Sequence, residues 1–173
     1  HEAPEIAETC QIAIDLIHYR HEQNNGQQEE KSEFLSVDPA PGFKNNENTN
    51  ININEIEKIY MDTKLSLFQR YRAMFSLRDI NTDETALILT KGLNDHSALF
   101  RHEVAYVLGQ LMRRVTIPAL SIALRDINEH NMVRHEAAEA LGAIGTSDAE
   151  EVLKEYAENS SDNVPDVIKE SCI

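Results

Sequence analysis

The residues of this chain best suited to chemistry are two His-Glu dipeptides, His102-Glu103 and His135-Glu136, which lie 33 residues apart. Each follows an arginine and opens an apolar, helix-like stretch, at residues 101–111 and 134–144. Imidazole nitrogen together with carboxylate oxygen suits Fe, Mn or Zn, whereas a calcium site would use oxygen alone. One such dipeptide is usually a solvated helix face, whereas two copies in the same phase fit a metal site and a solvated face equally well. One of the two glutamates would serve equally well by orienting a ligand.

Helical periodicity divides each stretch into two faces. At about 100° per residue, the histidine stripes consist of His102, Ala105, Tyr106 and Gly109 in the first copy and His135, Ala138, Glu139 and Gly142 in the second. The opposite faces, predicted to pack into the fold, are Val104, Val107, Leu108 and Leu111, and Ala137, Ala140, Leu141 and Ile144. We expect the two histidine stripes to line one wall, because equivalent helices of successive repeats stand side by side.

Residues one and two turns beyond each histidine leave two interpretations open. Gly109 and Gly142 each cost about 1 kcal/mol relative to alanine inside a helix, which indicates close approach by a ligand or by a neighbouring helix. Tyr106 and Glu139 are as well suited to orienting a ligand as to forming a solvated rim.

Helix caps predict the charge state of the histidines. Ser97 and Asn131 precede the two helices and are of the types that cap helix starts. The positive end of a helix disfavours imidazolium. We therefore expect His102 and His135 to be neutral, which is the form that binds metal.

The chain repeats itself with a period of roughly 31 to 35 residues, and residues 70–80 form an earlier copy of residues 101–111. Second helices are predicted at residues 83–93, 115–127 and 149–158, the last with a capping box formed by Ser147 and Glu150. No stretch alternates as a strand would. The sequence predicts an all-α fold, a right-handed α-solenoid of stacked helical hairpins with no β-sheet.

Residues 23–54 interrupt the repeats. Their acidic, asparagine-rich composition buries too little apolar surface to fold alone, which predicts a flexible linker. A helix at about residues 4–20 precedes it without a partner helix of its own. We expect residues 1–22 to be the last helix of a preceding domain and residues 55–173 to be a carboxy-terminal repeat domain with an incomplete last repeat. On this interpretation the chain is a fragment of a longer solenoid.

The composition indicates a globular protein with an acidic surface. Hydrophobic residues make up 41% of the 173, and 30 acidic against 16 basic residues give a net charge of −14. This charge disfavours nucleic acid and anionic membranes as partners, and no apolar run reaches the roughly 18 to 20 residues that span a bilayer. Cys10 and Cys172 lack ligand spacing and are predicted to be buried helix residues. No secretory signal is visible, so we expect a cytoplasmic location.

Several stretches together resemble the deoxyhypusine hydroxylase family. They are the Arg-His-Glu segments at 101–110 and 134–143, Phe-Gln-Arg-Tyr-Arg-Ala-Met-Phe at 68–75, Asn-Met-Val-Arg at 131–134 and Leu-Ser-Val-Asp-Pro-Ala-Pro at 35–41. The resemblance extends over nearly the whole chain except the asparagine-rich insert.

The resemblance implies a HEAT-repeat fold and a non-haem di-iron monooxygenase that uses molecular oxygen. The family hydroxylates the deoxyhypusine side chain on translation initiation factor five A, which completes hypusine. His102, Glu103, His135 and Glu136 are implied to be the iron ligands of the carboxy-terminal half. Glu103 is also the implied catalytic residue, acting on substrate or oxygen.

The same resemblance implies a substrate pocket that includes Gly109 and Met132. A cationic, polyamine-like side chain also fits the acidic balance of the chain. The two His-Glu pairs of the family's amino-terminal half are absent here. We therefore expect the intact enzyme to be monomeric, and this chain alone to be inactive and to hold iron poorly. Two copies placed face to face would rebuild a pseudo-symmetric site.

A non-catalytic HEAT-repeat scaffold is the alternative interpretation, with the histidine stripes lining a protein-binding groove. Other HEAT-like families, such as the bilin lyases, are a further alternative. Zinc protease chemistry is not indicated, because Tyr106 and Glu139 occupy the positions where a second histidine would lie.

Overall fold

The computed structural model describes residues 3–23, 34, 36–43 and 52–157. Within them the α-helices are α1 (Pro4–Gln23), α2 (Ile53–Met61), α3 (Leu67–Ile80), α4 (Asp83–Thr90), α5 (Ala98–Leu111), α6 (Ile117–Arg125), α7 (Asn131–Ile144) and α8 (Ser147–Ala157). Short 3-10 turns occupy Lys91–Asn94 and Arg114–Thr116. None of these residues forms a strand. The predicted all-α fold is confirmed for this part of the chain, while the handedness of the stack stays a prediction. No described helix combines the length and apolar character that crossing a membrane requires.

Helices α3, α5 and α7 are the repeating elements, each 14 residues long. The predicted cap of α5 is confirmed, because the Ser97 hydroxyl accepts a hydrogen bond from the Phe100 amide at 3.1 Å. The predicted cap of α7 is wrong. His130 caps this helix through Nδ1, which accepts from the Met132 amide at 3.3 Å. Asn131 is already the first helical residue.

The capping box predicted at the start of α8 is also wrong. Ser147 is the first residue of the helix rather than its cap, and its hydroxyl bonds to the neighbouring Asp148 carboxylate at 3.2 Å. The Glu150 amide instead donates to the Thr146 carbonyl at 2.9 Å. The helix therefore begins one residue earlier than the Ser-Glu spacing indicates.

An arginine at the fourth position of each repeating helix explains why this residue recurs in the sequence. Arg70 Nε donates to the Tyr60 carbonyl at 2.9 Å, and Arg134 Nε donates to the Leu124 carbonyl at 3.0 Å. Both arginines are almost fully buried. Each satisfies a carbonyl in the last turn of the preceding helix that has no partner within that helix. The arginines thus tie α2 to α3 and α6 to α7.

The predicted packing faces of α5 and α7 are confirmed. Their buried members include Val104, Val107 and Leu108, and Ala137, Ala140 and Leu141. Ala105 and Ala138, predicted on the histidine stripes, are fully buried as well. The buried arc is wider than one helix face because each helix has neighbours on two sides: α5 packs on both α4 and α7, and α7 packs on α5, α6 and α8.

The chain divides into two compact units, residues 1–81 and 82–173. In the first unit α3 packs against α1 and α2. The Tyr19 ring of α1 lies 5.8 Å from the Phe68 ring of α3. Cys10 is exposed on α1, so its prediction as a buried residue is wrong, and Cys172 lies outside the described residues. The compact units do not coincide with the predicted divisions at residues 22 and 54, which stay predictions.

Part of the predicted flexible linker is fixed against α3. The segment of residues 36–43, here called the strap, places Asp38 in a two-armed ion pair with Arg78, at 2.8 and 2.6 Å. The Phe43 amide donates to the Ser76 hydroxyl at 2.7 Å, and Ala40 is fully buried. Linker composition failed as a guide here because the strap is held by polar contacts to α3 rather than by its own apolar content.

Candidate metal centre

Helices α5 and α7 place the two His-Glu dipeptides at the same height, at the fifth and sixth positions of each helix. The helices approach closely at Gly109. A Cβ added there would lie 3.1 Å from Ala140 Cα and 3.2 Å from Ala140 Cβ. The glycine therefore permits tight helix packing, and the neighbouring helix is what approaches it. Gly142 differs, since a Cβ there would meet nothing within 4 Å.

The close packing brings one residue of each dipeptide together. His102 Nε2 of α5 lies 3.3 Å from Glu136 Oε2 of α7. The His102 side chain retains 31% of its exposure and the Glu136 side chain only 11%. This contact makes the two His-Glu dipeptides neighbours in space. Glu136 lies outside the predicted histidine stripe of α7, so the expectation that the two stripes line one wall stays a prediction.

The second histidine has a partner within its own helix. His135 Nε2 lies 3.2 Å from Glu139 Oε1, one turn further along α7. The sequence left open whether Tyr106 and Glu139 orient a ligand or form a solvated rim. Of these two residues, Glu139 is the one that contacts a histidine. Tyr106 is the equivalent residue of α5, and its side chain is exposed. Each histidine thus has one carboxylate of α7 beside its Nε2.

The electrostatics of His102 run opposite to the expected effect of the helix end, because they favour imidazolium. The hydrogen bond to Glu136 raises the pKa of His102, burial opposes this shift, and the negative charges of Glu136, Glu103 and Glu139 add to it. Three carboxylates near one imidazole outweigh the positive end of the α5 helix. The prediction that imidazolium is disfavoured is therefore wrong for His102, whose pKa is raised.

The two nitrogens of His102 have different surroundings. Nδ1 is buried and has no hydrogen-bond partner among the described residues. Nε2 lies beside the Glu136 carboxylate. The 3.3 Å separation of Nε2 and Glu136 Oε2 is near the roughly 3 Å expected between adjacent ligands that each lie about 2.1 Å from a metal. These two donors therefore fit a divalent ion in type and in spacing.

The donor set assembled in the structure is partial. Within the described ranges, no three His, Cys, Asp or Glu side chains converge closely enough to hold an ion. His102 with Glu136 and His135 with Glu139 form two separate pairs. A metal at either pair would need further ligands to complete its coordination.

The remaining predicted site residues surround these pairs. Glu103 is half-buried and close enough for its charge to act on His102. Met132 is half-buried in the first turn of α7. Gly109 is buried against Ala140. The catalytic role of Glu103 and the substrate-binding roles of Gly109 and Met132 stay predictions.

One positioning residue was not singled out from the sequence. Glu129, in the turn before α7, accepts hydrogen bonds from Arg101 Nε at 2.7 Å and Arg101 Nη2 at 2.5 Å. Arg101 Nη1 also donates to the Asp95 carbonyl at 2.6 Å. This fork joins the turns that precede both histidine-bearing helices, immediately beside His102. Arg101 occupies the fourth position of its helix, as Arg70 and Arg134 do in theirs. This shared position is the sequence signal that could have identified Arg101 as a positioning residue.

Comparison with known proteins agrees with this architecture. Residues 89–166 match the HEAT repeats family. The deoxyhypusine hydroxylase of Drosophila melanogaster is 47% identical over 169 residues, which cover 98% of this chain and 53% of that protein. The Candida albicans deoxyhypusine hydroxylase is 47% identical over 163 residues, covering 94% and 51%.

Structural comparison points the same way. Human deoxyhypusine hydroxylase, solved in complex with glycerol, superimposes with a TM-score of 0.84 at 40% sequence identity, over 96% of this chain and 54% of the human chain. This chain spans about half the length of the relatives it matches. The resemblance seen in the sequence is therefore confirmed: the chain is a HEAT-repeat α-solenoid homologous, along almost its entire length, to about one half of the deoxyhypusine hydroxylases.

Proposed function

We propose that this chain contributes part of the active site of a deoxyhypusine hydroxylase, which hydroxylates the deoxyhypusine side chain on translation initiation factor five A. The observation that carries the proposal is the His102–Glu136 contact between equivalent helices, in a chain 47% identical to named deoxyhypusine hydroxylases. The proposed location is the cytoplasm, and the proposed co-substrate is molecular oxygen.

The proposed cofactor is iron, as part of a di-iron centre. His102, His135 and Glu136 would hold the metal, with Glu103 as a further ligand or as the residue that acts on substrate or oxygen. Iron supplies oxygen activation when it is bound. The donor pairs fit iron in type and spacing, and the remaining ligands would come from the part of the relatives that this chain does not match.

The residues of the chain itself prepare the site for a cationic substrate. Glu103, Glu136 and Glu139 all act electrostatically on His102, so the local charge favours a positive group. The amines of a deoxyhypusine side chain are positive at neutral pH. In the metal-free chain Glu136 also orients the His102 ring by accepting a hydrogen bond from Nε2, and a bound metal would take the place of that proton. Exposed Glu139 holds His135 in the same manner from within α7.

Iron binding is tested on the chain and on single variants. Fe(II) is added without oxygen, and its affinity is measured for the wild type, His102→Ala and His135→Ala. Each variant should bind at least about tenfold more weakly, with an unchanged helical circular dichroism signal. His96→Ala is the matched control, because the His96 side chain is 70% exposed in a turn outside both pairs. Measurable iron binding with equal affinity in all four proteins would refute the assignment.

Catalysis is tested on a chimera. The chain is joined to the part of the Drosophila melanogaster hydroxylase that it does not match, and hypusine formation on the deoxyhypusine-bearing factor is measured by mass spectrometry. The chain alone should give no product, the chimera should give product, and the His102→Ala chimera should lose it. Product from the chain alone would overturn the expectation that half the site is insufficient.

A non-catalytic HEAT-repeat scaffold is the second candidate. The observation in its favour is that each histidine already has a carboxylate at hydrogen-bond distance within the chain, so the pairs are satisfied as structural contacts. The scaffold predicts no iron binding by the wild type and no hydroxylation by a well-folded chimera. Either positive result would exclude it.

A further inference from the structure

Arg72 is a side chain that the proposed function does not use. It is the sixth residue of α3, the position at which α5 and α7 carry Glu103 and Glu136. A guanidinium at this position cannot ligate a metal. The helical repeat therefore places a group of opposite charge in α3, and its surroundings show a different use.

Three separate segments converge on the guanidinium of Arg72. Its central carbon lies 4.8 Å from the ring centre of Tyr19 in α1 and 4.4 Å from the ring centre of Phe43 in the strap. Its Nε donates a hydrogen bond to the Pro41 carbonyl at 3.1 Å. Contacts with two rings and a carbonyl hold a long side chain in one orientation.

Among the described residues, the terminal nitrogens of Arg72 have no carboxylate partner of the kind that several other arginines have. Arg78 pairs with Asp38, Arg101 with Glu129 and Arg113 with Asp83. Among the described residues neither Nη of Arg72 has a hydrogen-bond or ion-pair partner. Neither Nη atom is among the fully buried side-chain atoms that have no hydrogen-bond partner. The terminal N–H donors are therefore held in place and are not sealed from an external group.

Burial without compensation adds to this picture. The pKa of Arg72 is lowered by burial, and no carboxylate of the described residues acts against this shift. Removing a cation from water without a negative partner is unfavourable. The chain has 30 acidic residues, but none of the described ones pairs with Arg72. A bound anion would supply the missing compensation.

We propose that the Arg72 guanidinium, oriented by Tyr19, Phe43 and Pro41, is a binding site for a carboxylate group. A planar carboxylate matches the two parallel donors of a guanidinium fork. A phosphate carries about −1.5 to −2 at neutral pH and would need more positive charge than one arginine supplies in a chain of net charge −14. The source is either a small free acid or an acidic side chain of a bound protein.

Nuclear magnetic resonance of the side-chain N–H groups in the 15N-labelled chain tests the proposal directly. Sodium acetate, an acetylated and amidated Gly-Asp-Gly peptide, and inorganic phosphate are titrated separately, with sodium chloride at equal ionic strength as the reference. The Arg72 signals, assigned by their absence from Arg72→Gln, should shift and saturate with acetate or the peptide at a half-saturation on the order of 10 mM. The Arg113 signals are an internal control, because Arg113 is already paired with Asp83 at 2.6 Å.

The outcomes separate the possible ligands. Saturation by acetate and the peptide alike supports a carboxylate from either source, and saturation by one of them alone identifies that source. Arg72→Lys keeps the charge without the fork and should bind at least about tenfold more weakly. Saturation by phosphate alone, or an unsaturated response equal to that of chloride, would overturn the proposal. The wild-type titration decides this even if Arg72→Gln detaches the strap.

Discussion

Gly109 of α5 and Ala140 of α7 lie so close that an added Cβ on the glycine would come within 3.1 Å of the alanine Cα. This contact sets the separation of the two helices that carry the histidines. The His102–Glu136 distance of 3.3 Å depends on it, because a wider spacing would move the carboxylate away from the ring.

Gly109→Ala should therefore destabilise the fold. The new methyl group meets backbone, which cannot rotate away, so we expect a loss of about 1 to 3 kcal/mol in the free energy of unfolding, measured by urea denaturation. Gly142→Ala is the matched control on α7. Nothing lies within 4 Å of a Cβ there, so this change should be stabilising by up to about 1 kcal/mol. Equal effects of the two substitutions would contradict the packing argument.

Glu136→Gln should lower the pKa of His102, because it removes the hydrogen-bonding carboxylate that contributes most to raising it. The pKa is measured in the metal-free chain by following the His102 Cε1–H signal through a pH titration. Glu139→Gln should lower it less, since Glu139 acts through its charge alone and as the weakest contributor. The interpretation fails if both variants leave the titration unchanged.

The same contact predicts how stability varies with pH. The folded-state pKa of His102 lies above the unfolded value, so the contribution to stability is complete below about pH 6.5. It is lost as the pH rises through the higher folded-state value. The difference in unfolding free energy between wild type and Glu136→Gln should therefore be larger at pH 6 than at pH 9, as measured by urea denaturation at the two pH values.

Asp38→Ala should release the strap from α3. The Arg78 side chain is fully buried and Asp38 is its two-armed partner, so removing the carboxylate leaves a buried cation with less compensation. We expect a loss of about 3 kcal/mol and faster proteolytic cleavage within residues 36–43. Asp79→Ala is the control, because Asp79 also contacts Arg78 at 2.9 Å but is 42% exposed. Its effect should be clearly smaller, and the reverse order would refute this account of the strap.

Met112→Gly should stabilise the chain. Met112 ends α5 with a positive φ of 50°, which a side chain disfavours, and it is 60% exposed, so little packing is lost. We expect a gain of about 1 kcal/mol, seen as a higher melting temperature. Asn81→Gly at the end of α3, with φ 52°, should gain less because asparagine tolerates this conformation. No gain at Met112 would show that the αL conformation carries little strain there.

The elements that follow from local periodicity could be predicted from the sequence. Residues 101–111 alternate between apolar and polar with a helical period, which is why the packing face of Val104 and Leu108 and the Ser97 cap were predicted correctly. The position of the His-Glu dipeptides on two neighbouring helices follows from the same repeat.

Other features depend on the relative placement of segments, which periodicity does not contain. The pairing of His102 with Glu136, rather than with Glu103 beside it, results from the spacing of α5 and α7. The raised pKa of His102 follows from that pairing. The strap depends on Arg78 and Ser76 being presented by α3 to a segment 33 to 40 residues away in sequence. Composition alone described this segment as a linker.

The arginines at the fourth helix position also limit how such a chain can change in length. Arg70 and Arg134 each reach a carbonyl ten residues upstream, so the turn between the two joined helices has the same length in both repeats. One inserted residue would move the carbonyl out of reach and remove this hydrogen bond from a buried guanidinium. Insertions and deletions should therefore be tolerated in the turns that no arginine crosses, and the register of the histidine-bearing helix α7 is protected by a residue that has no part in the chemistry.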